Sequence, residues 1–343
     1  MAANTTRILI ETIVRKTLRD IQNAPERSVR NLVDMALNFS NGRFQKRFFE
    51  GAQQMLTNEH SAYYPLVRNV VSNVEHERLL RFGLNIGYNS CTVGARKIRE
   101  IEAAESFNIP WALFLELDAD AFAQHASSYD SQIQQGKELG IYTWFICAED
   151  ICSDMFDLMS KHDDCAFGLI CNAQTISDEM LDEAAALNHV MLSVQINEHT
   201  DALCAEMRKR KLLYAVHTTY SSSGLKDILN DNLLYDMQST LAPFTVLIPD
   251  AVCPASEREI VYDYVLRKRE EQKFSTIIWD MVHDVLSIDT IISEDSCSVG
   301  FGTDGSLFTL SDGKNHRKWN LFEHDLQTIL KNCFPKIDES VGC

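Results

Sequence analysis

From residue 111 onward the chain alternates short apolar runs with amphipathic stretches, and that alternation is what most restricts the folds open to it. The runs are 111–117, 142–147, 166–171, 190–194, 212–217 and 244–248. Their starts lie about 20 to 30 residues apart. Between them, 133–139, 155–160, 179–187 and 202–210 carry helical periodicity. Strands that alternate with helices pair in parallel through right-handed crossovers. Six such units predict an α/β fold with a partial (β/α)6 barrel of the TIM type over 109–273.

The segments on either side read differently. Residues 1–108 are helical in pattern, beginning with 6–20, where Ile8, Leu9, Val14 and Leu18 recur on one face and Arg15, Lys16 and Arg19 on another. A basic helix of this kind suits an anionic membrane or a partner. Packing across the barrel bottom with a solvated polar face is the simpler reading, and it serves equally for Arg96, Lys97 and Arg99 in an expected helix over 91–106. After about Lys273 the alternation is expected to end. Residues 298–301 and 307–310 then predict a hairpin around Gly302 and Gly305, and 321–331 a last helix, together a small cap over 274–343.

Charge narrows the partners. The net charge is −17, unevenly spread: 15 Lys and Arg face 11 Asp and Glu in 1–108, against 17 and 38 in the remainder. An acidic barrel repels phosphates along most of its surface, which argues against nucleic acid. No apolar run approaches the roughly 18 residues that a membrane-crossing helix needs. The ten cysteines are scattered, and no secretory signal opens the chain. A reduced, cytoplasmic protein is therefore expected.

Two motifs carry a family resemblance. Ile109, Pro110, Trp111 and Ala112 lead into the first apolar run, and Gln135, Gly136, Lys137, Glu138, Leu139 and Gly140 follow some way downstream. Weaker matches lie at 31–36, 82–88 and 161–167, and at Asn172 with Ile176. The chain resembles the radical S-adenosylmethionine enzymes, specifically a bacterial branch of them, over most of its length. In that family the loop after the first strand carries Cys-x3-Cys-x2-Cys, the ligands of a 4Fe-4S cluster. The matching positions here are Ala121, His125 and Ser128. Such a cluster is held by thiolates, which Ala and Ser do not supply.

The family's Gly-Gly-Glu-Pro, where the backbone approaches the cofactor's amino group, is matched by Cys147, Ala148, Glu149 and Asp150. A Cβ at both glycine positions restricts the backbone and crowds a ligand. The resemblance therefore implies a degenerate member: no 4Fe-4S cluster, S-adenosylmethionine not expected, no metal. Auxiliary-cluster cysteines are also too few in the C-terminal segment, where Cys297 and Cys333 stand. The expected function is that of a non-catalytic scaffold or subunit binding a protein partner, either an active radical S-adenosylmethionine paralogue or its substrate.

Chemistry in a parallel barrel sits at the C-terminal strand ends. The polar residues expected there are Asp118, Asp120, His125, Glu149, Asp150, Glu198, His199, His217 and Asp250. The enzyme alternative takes Asp118, Asp120, His125 and Glu149 as ligands of a hard divalent cation that activates water. Another alternative is a cluster completed by a partner. Strand-end loops are polar for solvation alone, and no short motif fixes any two of these groups as ligands. Cys147 as a nucleophile needs a nearby positive field, and Glu149 and Asp150 work against that. Gly83, Gly87 and Gly94 do not have phosphate-loop spacing and read as turns or close helix contacts.

Overall fold

The computed structural model describes residues 2–40, 42–311, 313 and 315–336. Ten strands form one sheet in the order β10-β9-β8-β1-β2-β3-β4-β5-β6-β7. β1 (Ala112–Leu117), β2 (Thr143–Ala148), β3 (Ala166–Cys171), β4 (Val190–Gln195), β5 (Tyr214–Tyr220), β6 (Phe244–Pro249) and β7 (Ile277–Asp280) each pair in parallel with the next. The first six match the apolar runs within a few residues. β7 was not anticipated, because its four residues, Ile-Ile-Trp-Asp, are too short to stand out as a run.

The C-terminal segment extends this sheet. β8 (Val299–Phe301) pairs in parallel with β1, β9 (Ser306–Thr309) pairs antiparallel with β8, and β10 (Asn315–Asn320) pairs antiparallel with β9. The expected hairpin is therefore present, but as a continuation of the sheet past β1 and with a third strand. The final helix runs Leu326–Cys333, later than expected, because Asp325 caps it by accepting from Thr328 N at 2.8 Å.

Helices cover one face of the sheet. Leu113, Leu115, Trp144, Ile146, Phe167, Leu169, Leu192, Val194 and Val216 are all buried on it. At Gly136, in the helix Ala119–Leu139, a Cβ would stand 2.5 Å from the Trp144 ring, so the glycine is what lets that helix lie on β2. The N-terminal region is helical as expected, with helices Ala2–Ile21, Pro25–Phe39, Arg43–Met55, Tyr63–Asn73 and His76–Leu84. The helix expected over 91–106 is in fact a π-helical stretch, Asn85–Gly94, continued by an α-helix, Ala95–Glu105. Its buried amides explain the wider coil: Asn85 Nδ2 donates to the carbonyls of Asp163 and Cys165, and Asn89 Nδ2 to that of Asp164. Among the described residues no helix is long and apolar enough to cross a membrane, and every described cysteine is free.

Candidate functional site at the strand ends

Register defines a second, less covered face. Paired residues of parallel strands point the same way. Glu116, Cys147, Ile170, Ser193 and Ala215 therefore form one row, and Gln195, His217, Val246 and Trp279 the next. Glu116, Gln195 and Thr219 are exposed, and Phe145, Cys147, Met191, Phe244, Ile248 and Trp279 are half-buried. The face is open to solvent near the C-terminal strand ends. It is largely apolar, with Phe114 and Phe145 stacked at 4.7 Å.

Burial works against charge on its titratable groups. Burial pushes His217 down to about 4, and Ser193 Oγ lies 3.1 Å from its Nδ1. Burial first and Asp304 second raise the Glu116 carboxyl. The Cys147 thiol is pushed up to about 12, by burial and then by Glu116. Glu149 and Asp150, the neighbours expected from the sequence to hold this thiol protonated, stand exposed beyond the strand. The cause is instead the strand environment and the carboxylate on β1.

The residues matching the cluster ligands lie in a helix. Asp118 caps the helix Ala119–Leu139, its Oδ1 accepting from Ala121 N at 2.6 Å. Ala121, His125 and Ser128 occupy its first turns, with the backbone kinked at His125 (φ −125°, ψ 17°). The His125 ring stacks on Phe322 at 3.8 Å. Around it is a cavity of about 380 Å³ lined by Asp118, Asp120, Ala121, Gln124, His125, Thr303, Asp304 and Phe322.

The other expected site residues do not converge there. Cys147 and Ala148 end β2, and Glu149 and Asp150 stand exposed in the turn beyond. The Glu149 carbonyl accepts from Thr175 Oγ1 at 2.9 Å. Glu198 and His199 pair with each other at 3.5 Å on the surface, and Asp250 accepts from Val252 N. Among the described residues no three of His, Cys, Asp or Glu are grouped to hold a metal ion. The set Asp118, Asp120, His125 and Glu149 is thus split between the cavity and the β2 turn. Thr303, Asp304 and Phe322 were missed because they reach the cavity only through the C-terminal strands. Glu116 and Gln195 were missed although the first is a polar residue inside an apolar run and the second directly follows one, a signal that could have found them.

These features define an α/β protein whose parallel strands present their C-terminal ends at an open, acidic-rimmed face. Among solved structures, the chain is similar to SuiB of Streptococcus suis. With SuiB bound to precursor peptide SuiA, the identity is 11%, the TM-score 0.52, and 68% of each chain is covered. With SuiB bound to S-adenosylmethionine, the identity is 9% and the TM-score 0.50, over 68% of this chain and 66% of that one. With SuiB alone, the identity is 10% and the TM-score 0.51, over 87% and 78%. At such identities the likeness is one of fold. No family model matches the chain, and no curated protein does.

The comparison corrects the expectation that no cofactor is involved: a protein of this fold is one bound to S-adenosylmethionine. The local chemistry is a separate matter. Ala121, His125 and Ser128 do not present the thiolates by which a cubane cluster is held.

Proposed function

We propose that this chain is a non-catalytic, radical S-adenosylmethionine-like binding subunit that holds a peptide or protein partner at the open strand-end face. The reading is carried by the first turns of the helix after β1, where Ala121, His125 and Ser128, the positions that the sequence resemblance matches to the family's cysteines, bear no thiol. A fold of this kind is not tied to one activity, and a chain that keeps its shape and surface can bind without catalysing. The likeness to SuiB bound to precursor peptide SuiA favours a peptide as occupant, and an active paralogue or its substrate is the kind of partner this implies.

A sheet curled into a partial barrel is part of the same reading. The helix Met281–Ser293 follows β7, yet it bonds to the entry of β1. Trp111 N donates to Asp289 Oδ1 at 3.0 Å, Trp111 Nε1 to the Val285 carbonyl at 3.1 Å, and Ser293 Oγ to the Ile109 carbonyl at 2.7 Å. Six strand spacings, about 29 Å in a flat sheet, separate β1 from β7. Contact across that span from one helix favours curvature that makes the open face concave.

The test supplies the purified chain anaerobically with iron, sulfide, a strong reductant and S-adenosylmethionine, and looks for 5′-deoxyadenosine. None is expected. Its stoichiometric formation would remove the non-catalytic reading, whereas binding of S-adenosylmethionine without cleavage agrees with it.

A further inference from the structure

Two side chains on the open face hold hydrogen-bonding capacity that the fold leaves unused. Gln195 on β4 and His217 on β5 are register partners, so they leave adjacent strands on the same side, with backbones about 4.8 Å apart. The Gln195 carboxamide is exposed and makes no hydrogen bond among the described residues. His217 is only 6% exposed, yet its Nε2 has no partner among the described residues and is not sealed inside the protein.

The imidazole is held in place by its neighbour. Ser193, 3% exposed and two residues before Gln195 on the same face, puts its Oγ 3.1 Å from His217 Nδ1. Buried polar atoms are as a rule paired. Here the fold has fixed one ring nitrogen and left the other for an atom from outside. The rest of the row is Val246 and Trp279, without a charged residue. Burial pushes the ring down to about 4, so it is neutral at pH 7.

A carboxamide meets these demands. Its C=O and one N–H lie side by side on one edge, and Gln195, which both donates and accepts, complements whichever role Nε2 takes. A carboxylate finds no cation in the row, and the 38 Asp and Glu that stand against 17 Lys and Arg from residue 109 onward repel it. An ammonium would lose hydration against Val246 and Trp279 with no carboxylate in the row to replace it. A wholly apolar side chain would cover Nε2 and leave it unpaired. We propose that Gln195 and His217 together receive a carboxamide side chain, glutamine or asparagine, of the peptide partner. The proposal rests on the peptide-binding part of the reading above and names the residue type that this part of the face takes.

The test titrates the full chain with N-acetyl-glutamine methylamide and with its glutamate and methionine counterparts, following backbone amide and imidazole nitrogen NMR shifts. All three share the same main-chain amides and nearly the same length, so only the side-chain end differs. The glutamine compound is expected to shift the amides of Gln195 and His217 and the His217 Nε2 resonance saturably. The glutamate and methionine compounds should bind about tenfold more weakly, the value of a hydrogen bond lost from a desolvated group. Gln195→Leu, a change at an exposed position, should remove the advantage of glutamine over methionine, and Ser193→Ala, which releases the ring, should weaken the glutamine compound severalfold. Equal affinity for glutamine and methionine, glutamate binding as tightly as glutamine, or a Gln195→Leu variant that binds like the parent would overturn the proposal. Shifts confined to other regions, or none that saturate, would overturn it too. No partner protein enters this titration, so its failure leaves the non-catalytic reading standing, and formation of 5′-deoxyadenosine would remove that reading without touching the titration.

Discussion

Arg78 donates from Nη2 to the main-chain carbonyl of Ala185 at 2.9 Å, closing the end of a helix that belongs to a different part of the chain. Nη1 donates to the Ala184 carbonyl at 3.2 Å and also to that of Leu187. These carbonyls lie at the end of the helix Asp178–Ala186, where that of Ala184 also accepts from Leu187 N at 3.2 Å and those of Ala185 and Leu187 lack a following turn. Burial pushes the guanidinium down to about 10, so it stays charged at neutral pH and complements the negative end of the helix. One side chain thus ties the N-terminal helices to the crossover between β3 and β4.

Arg78→Ala should accordingly cost about 1–3 kcal/mol per buried carbonyl left unpaired, seen as a lower denaturation midpoint. Arg78→Lys should recover only part of it, because an ammonium cannot span three carbonyls in a fan. A midpoint unchanged by Arg78→Ala would show that the contact carries no stability.

A pH dependence follows from Asp289, which lies on the helix after β7 and accepts from Trp111 N and Ser298 Oγ. Burial raises it to about 7, with Glu102 adding slightly and the bonds from Ser298, Trp111 and Cys297 opposing. The folded chain holds this proton more tightly than the unfolded one, whose carboxyl has its ordinary value near 3.8. The group's contribution is fully present below about 4 and is lost as pH rises through about 7. Thermal midpoints taken between pH 5 and 8 should fall with a component that Asp289→Asn abolishes. An identical pH profile in parent and variant would refute this.

Gly94→Ala should destabilise the chain. An added Cβ would stand 2.3 Å from the Gly140 carbonyl oxygen, and both partners are backbone, so relief requires the π-helical segment to move away from the turn before β2. Overpacking of this kind costs about 1–3 kcal/mol. Gly83→Ala is the control, with nothing within 4 Å of its added Cβ. Equal midpoints for the two variants would contradict the close contact.

The parallel core was legible in the residues because strands covered by helices need continuous apolar runs. 166–171 is the clearest case, and it became β3 without a shift in either boundary. β7 escaped notice for the converse reason. Four residues ending in a buried aspartate leave too little pattern, and Asp280 is buried because its carboxylate caps the next helix through His283 N. At the site, Asp118, Asp120 and His125 were legible as polar residues at a strand end. Their companions Asp304 and Phe322, nearly 200 positions away, were not.

The sequence by itself determined the α/β alternation, the acidic character of the sheet-bearing region and the absence of thiols at positions 121, 125 and 128, since these depend only on which residue follows which. The tertiary structure decided that β8 to β10 extend the sheet beside β1, that the chain continued as helix after Asp118, and that three aspartates share a cavity with a stacked His125 and Phe322. Those outcomes come from strand pairing and packing between distant segments. The free energy of such contacts depends on geometry that no local pattern of residues encodes.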